Sequence, residues 1–221
     1  MIKIDLHSHS AASPDGNIRL KDYQKILDTK LDYIAITDHD RMDYASHLKK
    51  EDIGKKIIVG EEVMTNKGEI IGIYLTSRVK PGMSPKETVN AIKRQGGLVI
   101  IPHPLDDFRS GLGLEQMNAI KNDIDAIEVL NGRALKNYPK KLQKWAEGSD
   151  IALIASSDAH DRFGLGRTYT VLEEDADIGS AVTLKKALRS SMPVYKRPPL
   201  LAFIAPKFNR FARRFRTPVV D

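Results

Sequence analysis

The 221-residue chain contains no cysteine. Disulfides, zinc fingers, iron–sulfur clusters and thiol nucleophiles are therefore excluded, and any metal ion must be held by His, Asp or Glu. No apolar run approaches the roughly 18 residues that a membrane-spanning helix needs. A strand-like pattern at residues 2–8 leaves no place for the apolar core of a signal peptide, so we expect a cytoplasmic protein. No Gly-rich phosphate loop follows a predicted strand, which argues against Walker-type and Rossmann-type nucleotide folds.

The positive charge of the chain is concentrated at its C-terminal end. The net charge is +6, and residues 196–221 contain seven Lys or Arg and one acid, Asp221. The preceding 195 residues are balanced, with 28 basic and 28 acidic side chains. Because Pro198-Pro199 interrupts the chain, we predict one domain over residues 1–197 and a basic, Phe-rich tail over residues 198–221.

Short apolar segments alternate with helix-like patterns along the first domain. This alternation predicts an α/β fold with a parallel sheet and right-handed crossovers, closed into a barrel rather than left open. Ser84 with Glu87 forms a capping box for one helix, and Ser180 is the expected cap of another. Strands are predicted at 2–7, 33–37, 56–64, 69–75, 98–102, 124–130, 151–156 and 168–172, and helices at 19–30, 43–52, 84–95, 113–121, 138–147 and 180–190.

Five of the six histidines follow the ends of predicted strands. A single histidine in such a place is more often an ordinary loop or core residue. In a parallel barrel, however, all C-terminal strand ends open onto one face, so these side chains would meet there. Together with carboxylates, and without cysteine, they would suit zinc, manganese or iron. The five are His7, His9, His39, His103 and His160, whereas His47 lies within a predicted helix.

Six short motifs contain these histidines and the neighbouring acids. They are Asp5-Leu6-His7-Ser8-His9-Ser10, Ser13-Pro14-Asp15-Gly16, Thr37-Asp38-His39-Asp40, Gly60-Glu61-Glu62-Val63, Ile101-Pro102-His103-Pro104 and Ser157-Asp158-Ala159-His160. In this order the motifs resemble the PHP (polymerase and histidinol phosphatase) superfamily over about residues 1–175. The resemblance implies a distorted (β/α)7 barrel, an active site at the C-terminal ends of the strands and hydrolysis of phosphate esters.

The resemblance also implies two or three divalent metal ions, which would be manganese, zinc or iron, and a set of ligands for them. One ion would be held by His7, His9, Glu62 and Asp158; Glu62 would bridge to a second at His103; and a third would be held by Asp15, His39 and His160. Glu61 is expected to be only a neighbour, exposed or paired on a helix. Two positions depart from many relatives, which have histidine where this chain has Glu69 and Asn131. Glu69 is therefore either a harder ligand of the second ion or an acid that flanks a hairpin.

A site of this kind would activate a bound water as hydroxide and neutralise the charge of phosphoryl transfer. We therefore expect hydrolysis of a phosphate monoester, from a small metabolite or a nucleotide. The candidate catalytic residues are His160, His39 and Asp158, and the candidate substrate-binding residues are Arg133, Arg167 and Asn131, with Arg109 as a third arginine. Two alternatives remain open: a nuclease acting on oligonucleotide or nucleic-acid ends, and a non-catalytic metal-binding or regulatory module.

The tail has a pattern of its own. A helix starting near Pro206 would align Ile204, Phe208, Phe211 and Phe215 in one stripe, with basic side chains on the other side. This stripe could dock on the barrel or on a second copy of the chain, lie on an anionic membrane, or stack against nucleic acid. We expect the stripe to dock on protein, either on the barrel or on a second copy of the chain in an oligomer. We also expect that catalysis does not need the tail.

Overall fold

A computed structural model describes residues 1–212, and residues 213–221, which include the predicted Phe215, lie outside the described part. The strands in this range are β1 Ile2–Asp5, β2 Tyr33–Ile36, β3 Ile57–Met64, β4 Glu69–Ile73, β5 Leu98–Ile101, β6 Ala126–Asn131, β7 Ala152–Ser156, β8 Tyr169–Leu172 and β9 Met192–Val194. The α-helices are α1 Leu20–Thr29, α2 Asp43–Leu48, α3 Pro85–Arg94, α4 Gly113–Ala119, α5 Pro139–Ala146, α6 Ala181–Leu188 and α7 Leu200–Ala212. Each predicted strand and helix of the first domain is present, and both predicted N-terminal caps form.

All nine strands belong to one sheet, in the order β7-β6-β5-β4-β3-β2-β1-β8-β9. The pairs β1–β2, β2–β3, β5–β6 and β6–β7 are parallel. The prediction of a wholly parallel sheet is wrong, however, because β4 is antiparallel to both neighbours and β8 is antiparallel to β1 and β9. Only residues 65–68 join β3 to β4, which is too short for a crossover and permits only a hairpin.

The sheet curls until its ends nearly meet. The backbone N–H of Ala155 in β7 donates to Thr170 Oγ1 in β8 at 3.0 Å, and that hydroxyl donates to the Ala155 carbonyl at 2.9 Å. Because a side chain makes these bonds where a backbone ladder would be expected, the barrel is nearly but not regularly closed. The α/β barrel expected from the sequence is therefore confirmed as a distorted one.

Apolar side chains from strands across the whole sheet form one interior cluster, which includes Ile4, Ile71, Ile100 and Ile154. Leu184 and Leu188 of α6 pack into the same cluster. Outer helices cover the other face, as where Tyr23 of α1 packs with Ile34 of β2 and both are fully buried. A rigid barrel of this kind holds the loops at its strand ends in fixed positions.

Helix α7 differs from its prediction in start and orientation. It begins at Leu200 rather than near Pro206, and Pro206 lies inside it. Ala202 and Pro206 are the buried positions of α7, whereas Ile204, Phe208 and Phe211 are exposed. Small residues on the opposite side of α7 therefore make the contact with the barrel, the described part of the Phe stripe is largely exposed, and docking on a second copy of the chain stays a prediction. No helix within residues 1–212 combines the length and apolar character needed to cross a bilayer.

Candidate metal centre

The loop after β1 directs two histidines into the barrel mouth. Ser8 and Ser10 point the other way, where the Ser8 hydroxyl donates to the Ala35 carbonyl at 2.7 Å and Ser10 donates through its backbone and hydroxyl to the Asp38 carboxylate. An extended backbone alternates its side chains between two sides. Anchoring both serines therefore places His7 and His9 together on the inner side, where both are fully buried.

Glu62 of β3 lies at the centre of the histidines. Its Oε2 is 3.4 Å from His7 Nε2, 3.2 Å from His9 Nε2 and 3.1 Å from His39 Nδ1. Its Oε1 lies 3.2 Å from His103 Nε2. One carboxylate thus faces four imidazoles with two different oxygens, as a group that bridges two ions must.

Two further carboxylates close this part of the cluster. Asp158 Oδ1 lies 3.7 Å from His7 Nε2 and 3.6 Å from His9 Nε2. Glu69 of β4 lies 3.5 Å from His39 Nδ1 and 3.6 Å from His103 Nε2. Glu69 therefore belongs to the cluster as well as to the hairpin, which brings its carboxylate to the place where many relatives are expected to have histidine.

Asp15 lies at the other side of the cluster. Its Oδ1 is 3.4 Å from His160 Nε2 and 3.7 Å from His39 Nε2. The rings of His9 and His160 lie nearby, with their centroids 4.0 Å apart and their planes tilted by 33°. The structure thus brings all nine sequence-predicted ligands into one site, namely His7, His9, Asp15, His39, Glu62, Glu69, His103, Asp158 and His160.

Outer hydrogen bonds orient the imidazole rings. His7 Nδ1 donates to Glu128 Oε1 at 2.9 Å, so Nε2 is the nitrogen that the neutral ring can offer to a cation. His9 Nδ1 lies 3.2 Å from the Ser13 hydroxyl, and His160 Nδ1 donates to the Asp158 carbonyl at 3.0 Å. The Nε2 atoms of all three rings consequently face the interior of the cluster.

These atoms fit divalent cations. His7 Nε2 and His9 Nε2 lie 2.9 Å apart, so the two nitrogens are close enough to share a proton or to bind the same cation. Burial, followed by the charges of Glu62 and Asp158, raises the pKa of Glu69 to about 10. Four groups of three possible ligands lie within single-ion reach: His7, His9 and Glu62; His7, His103 and Asp158; His39, Glu62 and Glu69; and His9, His39 and His160. The donors are nitrogen and oxygen, which suits zinc, manganese or iron.

Backbone strain accompanies two of the ligands. His103 and Asp158 have φ values of 28° and 51°, in the left-handed region that residues with a Cβ rarely adopt. The His103 backbone N–H donates to Glu128 Oε2 at 2.8 Å, and the Asp158 N–H donates to the His7 carbonyl at 2.9 Å. These bonds hold the two residues in place despite the strain, which is characteristic of functional sites.

Two arginines and an amide surround Asp158. Arg109 Nη1 lies 2.7 Å from Asp158 Oδ2, and Arg133 Nη1 lies 3.3 Å from Asp158 Oδ1. Asn131 Nδ2 donates to Asp158 Oδ2 at 3.1 Å and to Glu128 Oε2 at 2.7 Å. Burial alone would raise the pKa of Asp158, but Arg109, His7 and Arg133 outweigh it and hold this pKa well below its usual range.

Arg167 is not brought to the cluster. Its Nε donates to the Phe163 carbonyl at 2.8 Å, and the neighbouring Gly166 packs against Ile26 on helix α1. The structure therefore does not bring Arg167 to the candidate metal centre, since the segment turns toward the outer helix, and contact of Arg167 with substrate stays a prediction. The Gly-Leu-Gly-Arg sequence indicated a turn at a strand end, but it did not indicate whether the turn directs Arg167 to the barrel mouth or to the outer helix.

Glu61 is neither exposed nor paired on a helix, contrary to expectation. It is fully buried, its Oε2 accepts from the Val79 backbone N–H at 2.9 Å, and Arg78 lies 3.6 Å away. Neighbouring residues of a strand point to opposite faces, so Glu61 faces away from the cluster that Glu62 enters. Its role as a mere neighbour of the site agrees with the prediction.

Three residues of the site had no clear signal in the sequence. Glu128 of β6 accepts hydrogen bonds from the His7 ring and the His103 backbone N–H. The only sequence feature that pointed to a role in the site was its position in a strand that runs to the barrel mouth. Asn209 Nδ2 donates to the Asp15 carbonyl at 3.0 Å, and Arg210 Nη2 lies 3.1 Å from Asp15 Oδ2. The tail, expected to be independent of catalysis, thus contacts a candidate ligand.

Comparison with known proteins agrees with this geometry. Residues 5–97 match the family model described as PHP domain, and residues 140–191 match the model described as PHP-associated. Two uncharacterized proteins of Methanocaldococcus jannaschii are similar in sequence. One is 35% identical over 143 residues, covering 59% of this chain and 82% of the relative, and the other is 31% identical over 184 residues, covering 78% and 71%.

Solved structures share the fold. A two-domain protein from Bacteroides vulgatus, described as containing a predicted PHP-like metal-dependent phosphoesterase, has a TM-score of 0.68 at 21% identity, covering 95% of this chain and 69% of that one. PsfC from Pseudomonas syringae has a TM-score of 0.64 at 15% identity, covering 97% and 98%. The lesion-specific endonuclease EndoQ from Pyrococcus furiosus has a TM-score of 0.63 at 16% identity, covering 87% of this chain and 57% of that one.

Proposed function

Because this chain belongs to the PHP domain family, we propose that it is a metal-dependent phosphoesterase that hydrolyses the phosphate monoester of a small metabolite or nucleotide. One observation carries the proposal: five imidazoles and four carboxylates converge at the barrel mouth with two arginines beside them. A metal-dependent phosphoesterase needs both groups of side chains. The imidazoles and carboxylates bind the metal ions, and the arginines bind the phosphate oxygens of the substrate.

The ligand assignments follow the contacts. His7, His9, Glu62 and Asp158 would hold one ion, Glu62 with His103 and Glu69 a second, and Asp15, His39 and His160 a third. Bound divalent ions would activate water for attack and neutralise the charge of the phosphoryl group. Glu128 supports this arrangement from outside, because its two oxygens fix the His7 ring and the His103 backbone.

Arg133 is the better placed arginine for phosphate. Arg109 is engaged by both Asp158 and Asn131 Oδ1, so its main effect is to hold Asp158 ionised and in place. Arg133 is partly exposed, and its Nη1 lies 3.3 Å from Asp158 Oδ1 and 2.9 Å from His160 Nδ1. A partly exposed arginine beside a metal centre suits a phosphoryl oxygen.

In this proposal His39, rather than His160, donates the proton to the leaving oxygen. His39 is 25% exposed, whereas His160 is 1% exposed, so a substrate can approach His39. Burial, followed by the charge of Arg133, lowers the pKa of His160, so this ring is neutral and less able to donate. In a centre with two ions the third place is empty, and His39 Nε2, which faces Asp15 Oδ1, is then not needed as a ligand.

A cavity beside the cluster favours a small substrate. It has a volume of about 430 Å³ and includes Arg19, Lys21 and Arg162 in its lining. Two of its lining residues bond to the backbone of the cluster: the Asn17 N–H donates to the His160 carbonyl, and Asn209 donates to the Asp15 carbonyl. Its volume lies within the range of about 300–1,000 Å³ that small-molecule sites occupy.

A nuclease is the second candidate, favoured by the fold shared with the Pyrococcus endonuclease. The balanced charge of residues 1–195 argues against it, because a protein that binds an extended strand needs a basic surface. Turnover of a mononucleotide should therefore exceed turnover of a short oligonucleotide with the same terminal phosphate. Preference for the oligonucleotide, with steep salt dependence, would reverse the order of the two functions.

The proposal is tested with purified protein by metal analysis and by release of p-nitrophenol from its phosphate ester with added manganese. We expect bound metal and turnover, both lost in His7→Ala. His47→Ala is the matched control, because His47 lies on α2, half exposed and beside Glu51, away from the cluster. Stoichiometric metal without turnover of any phosphate ester would point to a non-catalytic metal-binding module.

A further inference from the structure

Helix α7 carries an apolar face that is largely exposed, and Phe208 at one edge of it also lines the cavity described above. We define its outer face as Leu200, Leu201, Ile204, Phe208 and Phe211, which are between 53% and 75% exposed. At 100° per residue these five positions fall within about one quarter of the helix circumference, so they form one continuous surface. Solitary exposed apolar side chains are ordinary, whereas a continuous patch of large ones marks an interaction site.

The opposite side of α7 is attached to the barrel, which fixes the direction of the outer face. Ala202 is 2% exposed, and Pro206 is also buried. Asn209 and Arg210 bind Asp15 through its carbonyl and carboxylate. Turning the apolar residues inward would break these contacts, so burial of the outer face requires an external partner.

The basic residues around α7 indicate which class of partner its outer face binds. Lys196, Arg197 and Lys207 are exposed at or near the outer face, and residues 196–221 contain seven basic side chains and one acid. Large apolar side chains flanked by lysine and arginine are the features of helices that lie in the surface of an anionic bilayer. Each basic residue near such a surface adds attraction to the anionic headgroups.

We propose that α7 is a peripheral membrane-binding helix that docks the barrel on an anionic lipid surface through its outer face. The apolar side chains enter the boundary between headgroups and acyl chains, while Lys207 and the flanking basic residues contact the headgroups. This inference is independent of the proposed phosphoesterase activity, because no residue of the outer face is assigned to the metals or the phosphate.

Two other occupants fit the observations less well. A second copy of the chain would bring two basic tails together, and their like charges would oppose the contact. Nucleic acid needs phosphate-binding donors or stacking rings on the exposed face, and three of its five residues, Leu200, Leu201 and Ile204, provide neither. An acyl boundary accepts aliphatic and aromatic side chains alike.

The test is sedimentation of the full chain with vesicles of phosphatidylcholine and phosphatidylserine in equal amounts, compared with vesicles of phosphatidylcholine alone. We expect binding to the anionic vesicles and a decrease as salt is raised. Leu201→Asp combined with Ile204→Asp should weaken it at least about tenfold, since two buried apolar side chains are lost. Val182→Asp is the matched control, because Val182 is an equally exposed apolar residue on α6.

Turnover of a small phosphate ester and the melting temperature should be unchanged in the double variant, which separates lost binding from lost folding. Equal binding by the double variant and the wild type would overturn the proposal, as would no sedimentation with anionic vesicles. A dimer in light scattering that the double variant abolishes would assign the outer face to a second copy. Retardation of an oligonucleotide that the double variant abolishes would assign it to nucleic acid.

Discussion

Arg210 Nη2 lies 3.1 Å from Asp15 Oδ2, so a residue of the C-terminal helix contacts the candidate metal centre across 195 positions of the chain. The other oxygen of Asp15 faces His39 and His160. The carboxylate is therefore shared between α7 and the cluster. This arrangement gives the tail a means of affecting the site, even though it contributes none of the nine candidate ligands.

Arg210→Ala should lower kcat/KM for a phosphate ester about fivefold, because Asp15 loses the group that fixes its second oxygen. Stability should fall by only about 0–1 kcal/mol, since Arg210 is largely exposed and its ion pair is screened by solvent. Steady-state kinetics and thermal unfolding measure the two effects. Lys207→Ala, on the exposed side of the same helix, should change neither, and an equal kcat/KM in both variants would contradict a role for Arg210.

Glu128→Gln should reduce metal affinity or turnover about 10-fold to 100-fold, as loss of an outer partner of a metal-binding histidine commonly does. The amide keeps the size of the side chain but removes the negative charge that accepts from His7 Nδ1 and His103 N. Titration of the metal-free protein with manganese, together with kinetics, measures the effect. Glu147→Gln, an exposed acid next to α5, is the control, and indistinguishable titrations would remove Glu128 from the supporting set.

Arg109→Ala should destabilise the protein by about 3–5 kcal/mol, because it leaves the buried Asp158 without its nearest cation. Arg167→Ala should stay within about 0.5 kcal/mol of the wild type, since that side chain lies at the surface near α1. Urea unfolding at neutral pH compares the two. A similar small change in both variants would show that the contact between Arg109 and Asp158 contributes little.

Gly16→Ala should destabilise the protein by about 1–3 kcal/mol and weaken the site through the neighbouring Asp15. A Cβ at Gly16 would lie 2.1 Å from the Ser10 carbonyl oxygen, so the backbone must move. Gly164→Ala is the matched control, because there the nearest atom lies at an ordinary 3.5 Å. Unfolding and kinetics of the two variants should differ clearly, and an unchanged Gly16→Ala protein would mean that this loop adjusts without strain.

The strand ends that carry the site were readable from the sequence. The spacing of His7 and His9, the positions of His39 and His103, and the pair Asp158 and His160 all follow from strand period and loop position, which are local properties. The same local signals gave the strands, the helices and two helix caps. A barrel then has one face on which such residues can meet, so their convergence could be predicted without coordinates.

The direction of individual side chains could not be predicted in this way. Arg109 and Arg167 both follow strand ends, yet one reaches Asp158 and the other turns to the outer helix. Glu128 looked like an ordinary acid in a strand until the sheet placed it behind His7. Which way a loop turns depends on the neighbours it packs against, and these are distant in the chain.

Periodicity and residue chemistry are properties of short segments, so the chain alone indicated the strands and helices, the barrel class and the histidines at strand ends, and the resemblance to the PHP superfamily supplied the full set of candidate ligands. Contacts between distant segments were needed to establish that β4 is antiparallel, that Asp15 pairs with Arg210, and that Phe208 and Phe211 of α7 are exposed. A stripe of apolar residues on a helix shows which residues share a face but not whether that face packs against the rest of the protein. Which face packs depends on the free energy of contacts between remote segments, here the packing of Ala202 and Pro206 against the barrel and the ion pair between Asp15 and Arg210.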